Sequence, residues 1–320
     1  SIYWSMIETA ITGQNNLFKG TFDEAAEHLE ELLINSIRGQ IVADVPVGAF
    51  LSAGIDSSTV VSIMSKVSNS QIKTFTIGIE NSEKDEAKVA KDISYILGTE
   101  HNELYVSDRE IKEMLKIIPK CFAEPFADTS QVPMMLVSQL AKKQVTVCLS
   151  GDAGDELFAG YNSYSYYSEM WEWVKRYPLI VRKPIGEIAR NMPIFRDTYR
   201  GRTMSFLTAE NPQDISGCID DGMKITGKAK KNIYREVPQF NNYQHEYMLR
   251  DLLEYHPDDI LAKVDRATMA FSLESRIPLL DKDIVEFAWS LPFEYKKDNH
   301  TTKRILRKIL YKYVPEEIMN

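Results

Sequence analysis

Along residues 22–40, FDEAAEHLEELLINSIRGQ, apolar positions recur at helical spacing: Phe22, Ala25, Ala26, Leu29, Leu32 and Leu33 share one face. A period near 3.6 predicts an amphipathic helix. Asp23 and Glu24 fall in its first turn, where the helix dipole favours anions. The pattern then switches to a short apolar run, Val45–Ser52 (VPVGAFLS), which reads as a strand buried on both faces. Helical spacing returns over Asp56–Ser68. The alternation continues with a strand at Ile72–Glu80 and a helix at Glu83–Gly98, with Gly98 as its stop. A strand at Glu103–Ser107, helices over 109–118 and 131–143, and a strand at Gln144–Gly151 follow. Strands alternating with helices predict an α/β fold built on a doubly wound parallel sheet.

After Tyr161 the texture changes. Residues 162–250 are rich in Tyr, Trp, Met, Arg and Asn and contain few strand-like runs. Residues 251–320 are again helical in pattern, interrupted at Pro257, Pro278, Pro292 and Pro315. The expected organisation is an α/β core over 22–161 followed by a mainly helical part over 162–320.

Composition narrows the function. A hydrophobic share of 44% in 320 residues supports a sizeable core. The net charge of −8 argues against a general nucleic-acid binder, which carries a basic excess. It does not exclude a phosphate ligand, because a nest of backbone N–H groups binds anions inside an acidic protein. Cys121, Cys148 and Cys218 are far apart and form no CxxC pair, so reduced thiols are expected rather than a zinc site or a disulfide framework. No apolar run approaches the ~18 residues of a membrane span, and no signal-peptide pattern opens the chain. The expectation is a cytoplasmic protein without membrane attachment.

Two loops carry candidate chemistry. In LSAGIDSS (Leu51–Ser58) a buried strand runs through small residues into a helix start. Free N–H groups and the helix dipole there suit a phosphate or pyrophosphate, and small side chains let the anion approach. Asp56 would repel phosphates unless it holds Mg²⁺. The same stretch is equally readable as an ordinary helix cap. No GK[ST] follows, so this is not the common P-loop. In LSGDAGDELFAGY (Leu149–Tyr161), Asp152, Asp155 and Glu156 crowd into five residues, a cost unless a cation or a proton-transfer role compensates. Both loops follow strands, and in a doubly wound sheet such loops meet at one crevice. Two later segments, Asp258–Pro292 and Thr301–Leu310, mix apolar helical spacing with charges. They read as ion-pair networks or as contributors to the same site.

Taken in order, these segments resemble the synthetase domain of glutamine-dependent asparagine synthetases, within the superfamily of N-type ATP pyrophosphatases. The resemblance runs through DVPVGAFLSAGIDSS (Asp44–Ser58), TFTIGIE (Thr74–Glu80), LGTEHNE (Leu97–Glu103), LSGDAGDELFAGY, DRATMAFSLESRIPLLD (Asp265–Asp281) and Lys303 in TTKRILRK. It implies an adenine nucleotide α-hydrolase-like fold. It also implies ATP and Mg²⁺, adenylation of the aspartate side-chain carboxylate with release of pyrophosphate, and transfer of ammonia to give asparagine and AMP. By the same resemblance Ser52, Gly54, Asp56, Ser57 and Ser58 bind pyrophosphate, and Phe50 and Ile77 contact the adenosine. Ser150 and Gly151 lie by the nucleotide and acyl group. Asp56 and Asp155 hold the metal, Asp152 is the base toward the incoming amine, and Lys303 stabilises transferring charge.

Departures qualify the resemblance. Ala53 stands where the loop usually carries glycine; were that residue at positive φ, strain of roughly 1–2 kcal/mol would follow. Asp152 is shorter than the glutamate of some members. The family's full enzymes open with a glutaminase domain, whereas SIYWSM resembles the segment joining the two domains. A separate glutaminase domain is thus an expected partner, ammonia the expected nitrogen source, and a homodimer compatible with the resemblance. Two alternatives stay open: the same adenylation on another carboxylate, as in sugar-acid amidation, β-lactam closure or peptide cyclisation, and a non-catalytic relative.

Overall fold

Thr21 starts the first long helix by a reciprocal cap. Its hydroxyl accepts from the Glu24 N–H, and the Glu24 carboxylate accepts from the Thr21 N–H at 2.7 Å. The computed structural model describes residues 2–79, 86–192, 204–212, 214–217 and 237–319. Cys218 and the expected strand–helix junction at 80–85 lie outside them.

The elements up to residue 160 are α1 (Met6–Asn15), α2 (Phe22–Gln40), β1 (Val47–Phe50), α3 (Ile55–Val67), β2 (Lys73–Ile79), α4 (Glu86–Leu97), β3 (Glu100–Val106), α5 (Asp108–Leu115), α6 (Ile118–Cys121), α7 (Gln131–Lys142), β4 (Val147–Leu149) and the single turn α8 (Gly154–Leu157). The α/β alternation is as the periodicity predicts. β3 begins three residues earlier than its apolar run because it pairs along all of β2, from Lys73↔Glu100 to Ile79↔Val106. Pairing across the sheet overrides the polar character of Glu100–Asn102.

A fifth strand, β5 (Glu274–Arg276), lies in a segment whose pattern reads as helical. It joins β4 in parallel through Val147↔Glu274 and Leu149↔Arg276. Three residues ending at Arg276 are too short for a periodicity signal. The sheet order is β3-β2-β1-β4-β5, and neighbouring strands are parallel throughout. Succession runs outward from β1 to β3, then resumes at β4 on β1's other side. Right-handed crossovers therefore put α3 and α4 on one face and α7 on the other, and the reversal point lies between β1 and β4.

Core packs on both faces of this sheet, and two clusters on the α7 side share that helix. Phe75, Val137, Ala141, Val145, Cys148 and Leu273 pack together beneath α7. A second cluster joins Val106, Met114, Phe122, Val132, Met135, Leu136 and Ala267. Burial pushes the Cys148 thiol well up, so it is an inert core residue. On α2 and α3 the buried residues are Leu29, Leu33, Ile37, Val60, Val61 and Ile63, joined by Ile305, Leu306 and Ile309 of the helix Arg304–Leu310.

One buried acid ties these helices together. Glu30 accepts from Lys66 Nζ at 2.9 Å, from Lys312 Nζ at 2.6 Å and from the Tyr313 hydroxyl. Burial opposes its charge, but the three donors prevail and bring it down to about 2. A depressed carboxylate contributes stability above its ordinary pKa and loses it as pH falls toward the folded value. Glu30 therefore contributes at most about 3 kcal/mol at neutral pH, and this fades below the ordinary glutamate range toward about pH 2. In urea titrations the advantage of the native protein over Glu30→Gln is expected to shrink steadily between pH 5 and pH 2.5, a range set by that linkage to within about a unit. A gap independent of pH would exclude this role.

The chain divides into two units, one formed by Ser1–Gly160 with Glu254–Asn320, the other by Tyr161–Leu253. The second holds α9 (Asn162–Val174), α10 (Leu179–Asn191) and the helix Tyr243–Leu253 around Trp171, Val174, Phe206, Leu207, Ala209 and Ile215. Among the described residues no helix is long and apolar enough to cross a membrane.

Candidate active site

Three separated stretches of the first unit meet beyond the carboxyl ends of β1 and β4: the loop after β1, the loop after β4, and Lys303.

The first loop is a small lattice of hydroxyls. Ser52 Oγ and Ser57 Oγ lie 2.9 Å apart, Ser57 Oγ accepts from the Ser52 N–H at 3.1 Å, and Ser52 Oγ accepts from the Gly54 N–H at 3.1 Å. Ser58 is buried and its hydroxyl donates to the Ser52 carbonyl at 3.4 Å. Gly54 precedes α3, and no side chain caps that helix. Gly54 is itself the N-cap residue of α3, a cap that leaves the first N–H groups of the helix without a side-chain acceptor. Ser52 and Gly54 are exposed, so the loop and the uncapped helix start face solvent. Ala53 is not among the residues with positive φ, so the conditional strain does not arise there. Left-handed backbone occurs instead at Ala153 (φ 77°) and Lys303 (φ 53°), one in each of the other two stretches.

The second loop packs directly on the first. A Cβ at Gly151 would lie 2.5 Å from the Ser57 nitrogen, and one at Gly154 would lie 2.2 Å from Asp56 Cγ. Close approach of backbone requires glycine at Gly151, whereas at Gly154 a Cβ would displace the Asp56 carboxylate. Ser150 donates to Asp152 Oδ2. Burial raises the Asp152 carboxyl above the usual range, with Ser150, Lys263 and His256 pulling it back and Glu156 pushing it up.

Lys303 closes the arrangement. Its Nζ donates to Asp56 Oδ2 at 2.6 Å and pairs with Asp155 Oδ1 at 2.7 Å. Burial opposes its charge, but Asp56 and Asp155 hold the ammonium above the usual lysine range. Asp56 is pushed up by burial, against Lys303, with Asp155 and Glu156 adding to the rise. Its Oδ1 is buried with no hydrogen-bond partner. Among the described residues no three His, Cys, Asp or Glu side chains form a metal cage. Two carboxylates with one orphaned oxygen nevertheless fit Mg²⁺, which takes one or two carboxylates and completes its shell with phosphates and water.

Of the remaining expected residues, Phe50 and Ile77 are half-buried in the core on neighbouring strands β1 and β2. Most charges of the late segments do structural duty. Asp281 caps the helix Lys282–Ser290, Arg276 pairs with Glu274 at 2.6 Å, and Arg304 pairs with Asp298 at 3.1 Å. Glu156 of the acidic run and two residues outside the sequence expectation, His256 and Lys263, lie near Asp152. Glu156 is 2% exposed and lies 3.4 Å from Nδ1 of buried His256. Buried Lys263 donates to Asp128 at 2.7 Å and to Ser130 at 2.8 Å. The i,i+4 pair Asp259 and Lys263 is a signal that could have pointed to them.

The sequence model of the asparagine synthase family matches residues 28–320, an interval that contains both loops and Lys303. The chain belongs to the asparagine synthase family. Among its relatives, the glutamine-hydrolysing asparagine synthetase 1 of Bacillus subtilis is 34% identical over 93% of this chain and 49% of its own length. A putative glutamine-hydrolysing asparagine synthetase of Mycobacterium tuberculosis is 31% identical over 97% of this chain and 48% of its own. The amidase chry2 of Gibberella zeae is 23% identical over 93% of this chain and 51% of its own. The chain therefore spans about half the length of the curated relatives it matches. The α/β fold with a parallel sheet agrees with this family placement.

Proposed function

We propose that the chain is the ATP-cleaving part of an amide-forming ligase that activates the aspartate side-chain carboxylate as an acyl-adenylate and passes it to ammonia. The observation that carries this reading is the convergence of the Ser52–Ser58 loop, the Ser150–Glu156 loop and Lys303 at the reversal point of the sheet. There an uncapped helix start offers donors to an anion, and a cation sits between two carboxylates.

In the first step a carboxylate oxygen of the acceptor attacks the α-phosphorus of ATP, and the bond to the bridging oxygen breaks to release pyrophosphate. The N–H groups after Gly54 and the hydroxyls of Ser52, Ser57 and Ser58 hold the leaving phosphates. Phe50 and Ile77 flank the adenosine, and Ser150 and Gly151 border the nucleotide and acyl group. Asp56 and Asp155 would hold Mg²⁺, which when bound neutralises phosphate charge. Lys303 stabilises the negative charge that builds at phosphorus. In the second step the ammonia nitrogen attacks the acyl carbon, AMP leaves, and the surplus proton goes to Asp152, whose carboxyl is raised above the usual range by burial and is so a better proton acceptor.

The test is release of AMP and pyrophosphate from ATP with ammonium and aspartate, compared with other carboxylates. Aspartate-dependent AMP is the expected result, and Asp56→Ala is expected to lower pyrophosphate release at least ~100-fold. No ATP binding and no pyrophosphate with any acid would overturn the reading. AMP formed only with another carboxylate would keep the chemistry and move the acceptor. The matched amidase chry2 of Gibberella zeae favours keeping that second reading in the assay.

A further inference from the structure

The single turn Phe293–Lys296 ends on a lysine that is held in the core instead of in water. Lys296 is fully buried, its Nζ has no hydrogen-bond partner, and its amine lies 5.0 Å from the centre of the Trp289 ring. Burial pushes the amine down to about 7, and no acid offsets that shift. A ring face attracts an ammonium but does not replace its lost hydration. Methionine has a similar stem and carries no such cost, so packing alone does not account for an amine here.

The charged groups on the surrounding elements are engaged with others or turned to solvent. On the helix Lys282–Ser290, Glu286 accepts from the Trp4 indole N–H at 3.0 Å and lies 3.6 Å from Lys282, and Asp283 is exposed. On α2, Glu24 closes the Thr21 cap, Asp23 pairs with Lys308 at 3.0 Å and Glu30 is held by its three donors. Glu27, His28 and Glu31 on that helix, and Lys19 before it, are exposed. On the helix Arg304–Leu310, Arg304 pairs with Asp298 at 3.1 Å and Arg307 donates to the Thr302 carbonyl at 2.9 Å. In and after the turn, Glu294 and His300 are exposed and Lys297 is buried.

The same turn anchors the loop that delivers Lys303. Tyr295 pins it to the body of the unit: its hydroxyl donates to the Gly20 carbonyl at 3.0 Å, and its ring packs edge-on against Phe22 at 5.3 Å. Arg304 donates back to the Glu294 carbonyl. The Asp298 carboxylate accepts from the His300 and Thr301 N–H groups at 2.9 and 2.8 Å. The link from Lys296 to Lys303 is thus folded back on the turn that starts it, and a displaced turn displaces Lys303.

We propose that the turn Phe293–Lys296 is a proton-operated latch on the active site: uptake of a solvent proton by the Lys296 amine favours release of the turn from the core, and release carries Lys303 away from Asp56 and Asp155. What is switched off rests on the function proposed for Lys303; the latch itself does not.

The direction with pH follows from burial. The amine ionises near 10.5 in an open chain and at about 7 in the closed turn. Between those values the closed form holds fewer protons than the open one, so each unit of falling pH favours opening by up to about tenfold, and below about 7 the effect levels off.

Hydrogen–deuterium exchange of the whole chain at pH 9, 8 and 7, corrected for the intrinsic pH dependence of amide exchange, reads the turn directly. Protection of residues 293–303 is expected to fall roughly 50-fold from pH 9 to pH 7, while β1 and β2 keep theirs. Lys296→Met removes the proton site and keeps the stem. Its protection is expected to be independent of pH, and its melting temperature at pH 7 higher than that of the native protein. A limiting dose of acetic anhydride at pH 7 is expected to acylate Lys303 at least ~10-fold more slowly in this variant, because the turn stays closed. Flat protection across the series in the native protein overturns the proposal, whether or not the variant folds. An equal fall in the variant also overturns it, and equal acylation of Lys303 in both proteins breaks the link to the active site. None of these measurements needs ATP cleavage, so a failed reaction assay would count against the proposed function and leave the latch to be decided by exchange and acylation.

Discussion

Replacing Lys303 by methionine is expected to lower AMP and pyrophosphate formation about 100- to 1000-fold, the range for removing a group that stabilises developing charge. Methionine keeps the length of the stem, so the helix Arg304–Leu310 and its buried Ile305, Leu306 and Ile309 remain packed. What is lost is the ammonium between Asp56 at 2.6 Å and Asp155 at 2.7 Å. The two carboxylates would then face each other without a cation, and Asp56, already raised by burial, would rise further. A second signature follows: the pH at which activity sets in should move upward, because Asp56 must ionise before it can hold a metal. Steady-state rates across a pH series, with far-ultraviolet circular dichroism as a folding control, check both points. Activity within fivefold of the native protein, against an expected loss of about 100-fold or more, would remove Lys303 from the site.

The second large effect comes from adding one methyl group. Gly154→Ala places a Cβ 2.2 Å from Asp56 Cγ and 2.5 Å from each of its oxygens. The obstacle is the end of a flexible side chain, so the fold yields cheaply: Asp56 swings away and the backbone stays. Alanine is also the better helix former in α8. The expected result is a protein of near-native melting temperature whose pyrophosphate release falls roughly 100-fold, the cost of a misplaced site group. Gly151→Ala provides the contrast, since its Cβ meets the Ser57 backbone at 2.5 and 2.7 Å. There the two loops themselves must part, and stability should fall together with activity. Equal loss of melting temperature in both variants would contradict this distinction.

The alternation of apolar runs was enough to read β1 to β4 and the helices between them, because each is long or apolar enough to carry its own period. β5 was not readable. Glu274–Arg276 is a polar tripeptide that becomes a strand only because β4 presents an open edge to it. Among site residues, the two loops and Lys303 stood out through the resemblance, and the structure brings Asp56, Asp155 and Lys303 within hydrogen-bond reach. The position of backbone strain was not legible. Ala53 invited suspicion because glycine is usual there, yet the left-handed residues of the three site stretches are Ala153 and Lys303, where no local pattern in the sequence marks them. Buried polar partners such as His256 and Lys263 were hidden for a similar reason. A charged residue in a helical pattern looks the same whether it faces water or a neighbour, as exposed Asp265 and buried Lys263 on one helix show.

The return of the chain from Tyr161–Leu253 to supply β5 and Lys303 also has a consequence for biosynthesis. β4 waits roughly 125 residues for its neighbour, a closure worth on the order of 4 kcal/mol in chain entropy if the intervening stretch were unfolded. Collapse of the core cluster around Trp171 and Phe206 before this closure would shorten the gap. As the ribosome delivers the chain, both anion loops emerge long before the lysine that neutralises them. On the proposed function, ATP cleavage then requires synthesis through Lys303, and a chain stopped between the second loop and that residue would lack the cation that pairs with Asp56 and Asp155.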